Sequence, residues 1–387
     1  MGANLVDGGR GDNSKDNRES EEGNKRVVVA MSGGVDSSIA AALLKERGYD
    51  VIGVTMQIWP RFSPDGGAQP ERSCCSLAAV EDARRVANRL GIPYYVFNLQ
   101  EDFSREVIDY FCSEYIEGRT PNPCVVCNTR IKFGLLLHKA RALGASHIAT
   151  GHYARICYDP SMHRYILKKA RDRHKDQTYV LYNLTQDQLA STIMPLGEFT
   201  KDETRALAAK LGFKVANKPD SQEICFIPDN DYRRFLAERV PESVNPGPIL
   251  DVHGNVLGEH RGIAFYTIGQ RKGLGISARE PLYVIALDRE RNAVIVGAES
   301  EIYSRSLIAG SLNWIAFEDL SEAREAWAKI RYYTEPAHAV VTPLAAGDVE
   351  VRFAKPQRAV TPGQSCVFYD GDVVLGGGII EAGQRWA

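Results

Sequence analysis

Arg26-Val27-Val28-Val29-Ala30-Met31 runs directly into Ser32-Gly33-Gly34-Val35-Asp36-Ser37-Ser38, and these two pieces decide the fold. The first has the length and β-branched content of a buried strand. The second opens on a glycine pair, which lets the backbone turn tightly and approach a ligand closely. A helical pattern then runs over 37–47 and stops at Gly48, the residue type that closes helices in the left-handed conformation. Working outward, strand runs recur at 50–58, 94–99 and 147–150, with helical patterns at 78–90, 103–116 and 131–143. Alternation at this spacing predicts a parallel sheet with helices on its faces. Ligands of such sheets bind beyond the carboxyl ends of the strands.

The rest of the chain has a different texture. Thr200 and Glu203 form a capping box ahead of a helix ending at Gly212. From about Gly247, short β-rich runs at 283–287, 293–296 and 365–369 are separated by Gly, Asn and Asp, with 288–292 reading as a hairpin loop. The expected class is α/β, in four parts. A disordered tail over 1–24, polar and rich in Gly, Asn and charge, precedes a Rossmann-like parallel-sheet domain over 25–190. A small central domain over 191–246 carries Cys225, and a C-terminal β-barrel spans 247–387.

Composition bounds the function. With 387 residues, 44% apolar and 25% charged, the chain is of globular type with two or three domains. A net charge of -2, from 47 basic against 49 acidic residues, requires any nucleic-acid contact to come from a local patch. The absence of an 18-residue apolar run excludes a transmembrane helix. Eight cysteines spread along a chain with no secretory signal read as thiols, ligands or catalysts in a reducing, cytoplasmic compartment.

Two segments carry chemistry. In 32–38, hydroxyls and open N–H groups at a helix start favour an anion, as does the helix dipole. No Walker lysine and no G-x-G-x-x-G accompanies them, so neither a P-loop nor a dinucleotide fingerprint fits. Asn122-Pro123-Cys124-Val125-Val126-Cys127-Asn128 places a C-x-x-C in a proline-containing loop just before a helix, where a thiolate is stabilised. A nucleophile, a redox pair, a metal or cluster site and an incidental turn all remain open. A tetrahedral zinc site lacks a second C-x-x-C. Cys225, between Ile224 and Phe226, reads on its own as a core residue. Cys74, Cys75, Cys112, Cys157 and Cys366 read as packing or surface residues.

The SGGVDS string resembles the pyrophosphate loop of the ATP-pyrophosphatase superfamily, whose members cut ATP to AMP and pyrophosphate; the resemblance gives Asp36 a share in holding Mg2+. Longer strings are similar to those of the tRNA-specific 2-thiouridylases, the MnmA family. They are AMSGGVDSS at 30–38, NPC-x-x-CN-x-x-IKFG at 122–134, ATGHYAR at 149–155, KDQTYVLY at 175–182, ICFI at 224–227, YTIGQRKGLGI at 266–276 and PGQ at 362–364.

The resemblance implies ATP-dependent 2-thiolation of the wobble uridine in tRNAs for Lys, Glu and Gln, with sulfur arriving from a cysteine-desulfurase-derived donor and no membrane involved. It implies ATP contacts at Ala30, Met31, Ser32, Gly33, Gly34, Val35, Asp36, Ser37, Met56 and Gly151. It implies tRNA contacts at Asn122, Pro123, Cys124, His152, Lys175, Asp176, Gln177, Arg331, Tyr332 and Gln364, and a catalytic pair in Cys127 and the persulfide-bearing Cys225. Plainer readings stand beside these: a strand-end histidine for His152, an exposed turn for Lys175 to Gln177, and barrel packing for Arg331-Tyr332-Tyr333. One departure is Cys124, where better-known members carry Asp. With it, Cys124, Cys127 and Cys225 resemble the ligands of a four-iron four-sulfur cluster with one open iron, an alternative to the persulfide. Another pyrophosphate-loop ligase or amidotransferase, and an RNA-binding module with a vestigial loop, are the rival functions.

Overall fold

The computed structural model describes residues 25–58, 77–218, 224–227 and 229–385. The expected tail and Cys74 and Cys75 lie outside the described residues.

Five parallel strands form the first sheet: β1 (Arg26–Ala30), β2 (Asp50–Gln57), β3 (Tyr94–Asn98), β4 (His147–Ala149) and β7 (Thr192–Ile193), in the order β3-β2-β1-β4-β7. Val28 sits between Ile52 and Ile148, so β1 is central. Because side chains alternate along a strand, β1 serves two cores. Val27 and Val29 face α1 (Val35–Glu46), α2 (Leu77–Leu90) and the later helix Lys201–Lys210, whereas Val28 and Ala30 face Leu136, Leu137 and Ala140. Two longer helical runs follow β3. The first, α3, spans 100–116, and the second, α4, spans 123–142; each contains a wider π-type stretch, Ser104–Ile108 and Cys127–Leu135. Further along lie α5 (Gln186–Ala190), α6 (Lys201–Lys210) and α7 (Tyr232–Arg239).

Between β4 and β7 a hairpin, β5 (Ala154–Asp159) and β6 (Arg164–Lys169), leaves the first sheet and pairs through Lys168 with Val373 of the carboxy-terminal β-structure. That structure is a closed barrel of six strands: β12 (Tyr303–Trp314), β13 (Arg324–Lys329), β14 (Ala337–Pro343), β15 (Val349–Arg358), β16 (Ser365–Asp370) and β17 (Val373–Arg385), sealed by β12 against β17. The β-rich region after 247 therefore divides in two rather than forming a single barrel. β8 (Gly247–Leu250), β9 (Val256–His260), β10 (Tyr283–Asp288) and β11 (Ala293–Gly297) make their own sheet, in which β8 runs parallel to β11 and Ile249, Val284, Val294 and Val296 close a small separate core. The hairpin expected at 288–292 joins β10 to β11, with Asn292 at φ +48°. No helix among the described residues is long and apolar enough to cross a membrane.

Candidate active site

The glycine turn sits at the carboxyl end of β1. Gly33 has φ +70°, and a Cβ there would lie 2.2 Å from the Ala79 carbonyl oxygen, so both conformation and space demand glycine. Gly34 is the N-cap of α1 and supplies no side-chain cap. The helix's first N–H groups therefore lack a side-chain acceptor from their own cap, the arrangement that binds phosphate. Ser37 Oγ accepts from the Ser32 N–H at 3.2 Å, and Ser38 Oγ donates to the Gly34 carbonyl at 2.8 Å. Met31, Val35 and Ser37 are buried, so they can reach a nucleotide only through backbone, whereas Ser32 is exposed. Gly151, just beyond β4, closes against this turn: a Cβ would stand 2.7 Å from Ser37 N. Met56, half-buried, lies at the end of β2 beside the exit of β1, where Met31 N–H donates to Val54 O.

Asp36 is engaged by two residues that sequence reading missed. Both its carboxylate oxygens accept from Lys201 Nζ, at 2.8 and 2.7 Å, and Oδ1 accepts from the Tyr153 hydroxyl at 2.9 Å. Lys201 is buried. Its only sequence signal was as the first residue after a capping threonine, and nothing local marks its partner. Lys218 was missed for the same reason. Its ammonium donates to the Gly33 carbonyl at 3.1 Å and pairs with Asp82 at 3.0 Å, tying the stretch that leads toward Cys225 to the phosphate turn.

The thiols lie on the helix rather than in a loop before it. Pro123 is the first helical residue of α4, a position where its missing N–H costs nothing. Cys124 is exposed and Cys127 half-buried, the latter opening the π-type stretch. Cys127 and Cys225 pack against one apolar cluster built on Phe103, Phe111, Ile131, Phe226 and Ile227. Phe226 holds edge contacts with Phe103 at 5.8 Å and Phe111 at 5.2 Å, so Cys225 sits half-buried above a rigid aromatic base. Cys112 and Cys366 are different: burial pushes both thiols up, Cys112 to about 11, which makes them inert packing groups.

A cluster needs its donors gathered. Among the described residues no three His, Cys, Asp or Glu side chains come together as metal donors. As arranged, Cys124, Cys127 and Cys225 therefore do not fit a four-iron cluster. Mg2+ is a better match for its expected site. It is a hard cation that takes most of its ligands from phosphate and water, so it asks little beyond one carboxylate, and Asp36 at the turn is of the right chemical type.

The residues expected to touch tRNA fall into two groups. Several are occupied internally. Asp176 accepts from Ala170 N–H at 2.9 Å and Thr178 Oγ1 at 2.6 Å, and burial raises its pKa. Gln177 exchanges hydrogen bonds with the backbone of Tyr153. Gln364 donates to the Thr120 and Pro121 carbonyls at 2.9 and 3.1 Å, bracing the approach to Asn122 and Pro123. Arg331 donates to Ala359 O and Thr361 Oγ1, both at 2.8 Å. His152 is buried, with Nδ1 2.8 Å from Thr150 Oγ1; burial and, secondarily, Lys132 hold its pKa well below 6.5. The other two are Tyr332 and Lys175. Burial raises the Tyr332 phenol to about 12, and its ring packs against the apolar cluster that contains Val125 of α4. Lys175 is half-buried.

Residues 25–229 match the family described as the tRNA methyl transferase HUP domain, 233–298 the tRNA methyl transferase PRC-barrel domain, and 304–380 the Aminomethyltransferase beta-barrel domain. The second and third matches coincide with the two separate β-sheets. Among curated relatives, the tRNA-specific 2-thiouridylase MnmA of Heliobacterium modesticaldum is 59% identical over 92% of both chains. That of Symbiobacterium thermophilum is 58% identical over 92% of both, and that of Acetivibrio thermocellus 56% identical over 92% of this chain and 99% of the relative. A parallel sheet ending in a glycine turn with no side-chain cap, two thiols from distant segments on one cluster, and identity of this level along nearly the whole length place the chain in the tRNA-specific 2-thiouridylase (MnmA) family.

Proposed function

We propose that this chain is an ATP-dependent sulfurtransferase that converts the wobble uridine of tRNAs for Lys, Glu and Gln to 2-thiouridine, in the cytoplasm. The observation that supports the reading is that Met56, at the end of β2, packs both against the cluster holding Ala30, the last residue of the strand that leads into the glycine turn, and against the cluster on which Cys127 and Cys225 pack.

Uridine O2 is a poor leaving group until it is made part of a phosphate ester. O2 attacks the α-phosphorus of ATP while N3 gives up its proton; the Pα–O–Pβ bond breaks and pyrophosphate leaves. The turn's N–H groups and the amino end of α1 stabilise the charge that develops on the phosphates. Bound Mg2+ would add charge neutralisation there, with Asp36 among its ligands. Lys201, which holds Asp36, would present its ammonium to phosphate oxygens as well. The terminal sulfur of a Cys225 persulfide, loaded by a desulfurase-derived donor, then attacks C2, and AMP departs with the C–O bond. Cys127 thiolate attacks Cys225 Sγ, so the S–S bond breaks, sulfur stays on C2 and N3 is reprotonated. The Cys127–Cys225 disulfide left behind is reduced by a cellular thiol. Asn122, Pro123 and Cys124 frame the base, which must leave its stack to expose C2.

The test is thiolation of unmodified tRNA by the purified full-length chain with ATP and a persulfide donor, read by mass spectrometry of nucleosides. Cys127→Ser and Cys225→Ser are expected to fall below about one per cent of wild-type thiolation, on the scale of lost nucleophiles. Both should still release pyrophosphate when tRNA is present. Nucleotide consumption that ignores RNA and both substitutions would point instead to a ligase acting on another substrate. An iron assay after anaerobic purification decides against the persulfide route if iron and activity travel together.

A further inference from the structure

Tyr333 is the most exposed large side chain among the described apolar and aromatic residues, at 85%. It does not hang from a loose loop. Thr334 closes the turn with two hydrogen bonds to the Arg331 carbonyl, from its N–H at 3.3 Å and its Oγ1 at 3.0 Å. Arg331 in turn is anchored to Ala359 and Thr361. The Tyr333 ring stands edge-on to Tyr332, with centroids 5.0 Å apart at 86°, and Tyr332 leans on the buried Tyr179 at 6.0 Å and 65°. Lys329 Nζ approaches the rings of Tyr179 and Tyr332 at 5.9 and 5.8 Å. Lys169 and Lys329 share this corner with the acids Asp176 and Glu335. The inner ring, Tyr332, packs against the apolar cluster that contains Val125, the residue after Cys124.

A fixed, solvent-facing aromatic ring, backed here by a second ring that a lysine ammonium approaches, is the element with which proteins hold unstacked nucleobases. Its position supplies the reason for one here. Drawing a uridine out of an anticodon loop toward Cys124 leaves the adjoining base without a stacking partner on one side. We propose that Tyr333 is a stacking platform for the nucleobase next to the reacting uridine, replacing the neighbour lost on extrusion. This role rests on the tRNA-thiolation reading above, and it makes Tyr333 a positioning residue that leaves the chemistry to the thiols.

The test uses the full-length chain and an anticodon stem-loop RNA carrying 2-aminopurine at either position flanking the wobble uridine. Wild type and Tyr333→Phe are expected to quench one of the two probes on binding. Tyr333→Ala should lose that quenching and raise KM for the RNA between about 5-fold and 100-fold, the range of single base–aromatic stacks. KM for ATP and the far-UV circular dichroism should not change, and Tyr333→Trp should restore binding. Unchanged quenching and RNA KM in Tyr333→Ala, beside an active wild type, overturn the stacking role alone. So does a defect seen with a protein-borne sulfur donor that vanishes with a small-molecule persulfide donor, which would assign the ring to docking that protein. Failure of the wild type to bind the RNA overturns the functional reading and this role with it.

Discussion

Asp36 and Lys201 meet only because α1 and α6 lie against each other, and their pairing sets up a clear residue-level prediction. Lys201→Met removes the ammonium from both Asp36 oxygens and leaves Tyr153 as the remaining contact. Loss of a largely buried charged hydrogen bond costs about 1–3 kcal/mol of stability, readable by urea denaturation. If the ammonium also serves the phosphates, KM for ATP rises at least tenfold while KM for tRNA stays put, in steady-state pyrophosphate release. His152 yields a second prediction. Its imidazole is buried and its folded pKa lies below the ordinary 6.5. Below that value the unfolded chain binds a proton the folded chain refuses, so this contribution is fully present above pH 6.5 and lost as pH falls. The slope reaches about 1.4 kcal/mol per pH unit. Denaturation curves at pH 7.5, 6.5 and 5.5 should show the decline, and His152→Asn should flatten it; an equal slope in the variant would assign the loss elsewhere, His260 being shifted the same way by its own burial.

At the scale of elements, the PGQ segment acts as a brace for the thiol helix. Pro362 O accepts from Thr120 N–H, and Gln364 reaches the next two carbonyls before α4 begins. Gln364→Ala is therefore expected to lower kcat for thiolation about tenfold or more by loosening the first turn of α4, since small misplacements of reacting groups carry large rate penalties. Affinity for tRNA should change by less than threefold. A residue that simply contacted RNA would show the reverse split, so comparing kcat with filter-binding affinity decides the matter. The same element shows what was legible in sequence. The glycine turn after β1 could be read because glycine pair, hydroxyls and flanking apolar run act locally. The helix start at Pro123 was missed by several residues because the π-type stretch over Cys127–Leu135 shifts the apolar spacing away from a regular 3.6-residue period. The destination of the hairpin β5–β6 was not legible at all. Alternation identifies strands but not the sheet they join, and the pairing of Lys168 with Val373 spans most of the chain.

The whole molecule is held by a core that ignores the division between nucleotide sheet and barrel. Val28, Val54 and Ile148 of the first sheet share one apolar cluster with Ile315, Val367, Tyr369 and Val374 of the barrel, and Tyr179 and Tyr182 fill the space between. Polar ties follow the same line: Tyr179 donates its hydroxyl proton to Ser365 O at 2.9 Å, Asn313 Nδ2 donates to Tyr182 O at 2.8 Å, and Arg155 pairs with Asp372 at 3.0 Å. The proposed site has the same construction, with glycine turn, thiol helix and 331–333 turn contributed by units far apart in sequence. Cutting the chain at residue 302 would expose the inner face of β6 and the Tyr179–Tyr182 segment together. Removing several large buried side chains at roughly 2–5 kcal/mol each exceeds the 5–15 kcal/mol that stabilises a typical domain. A chain ending at 302 is thus expected to be insoluble or to lack cooperative unfolding. The full chain should lose its nucleotide sheet and barrel in one transition, with far-UV and near-UV circular dichroism coinciding. Two separated transitions, or a folded and ATP-binding 25–302 fragment, would show that the shared core is not what holds the phosphate turn in place.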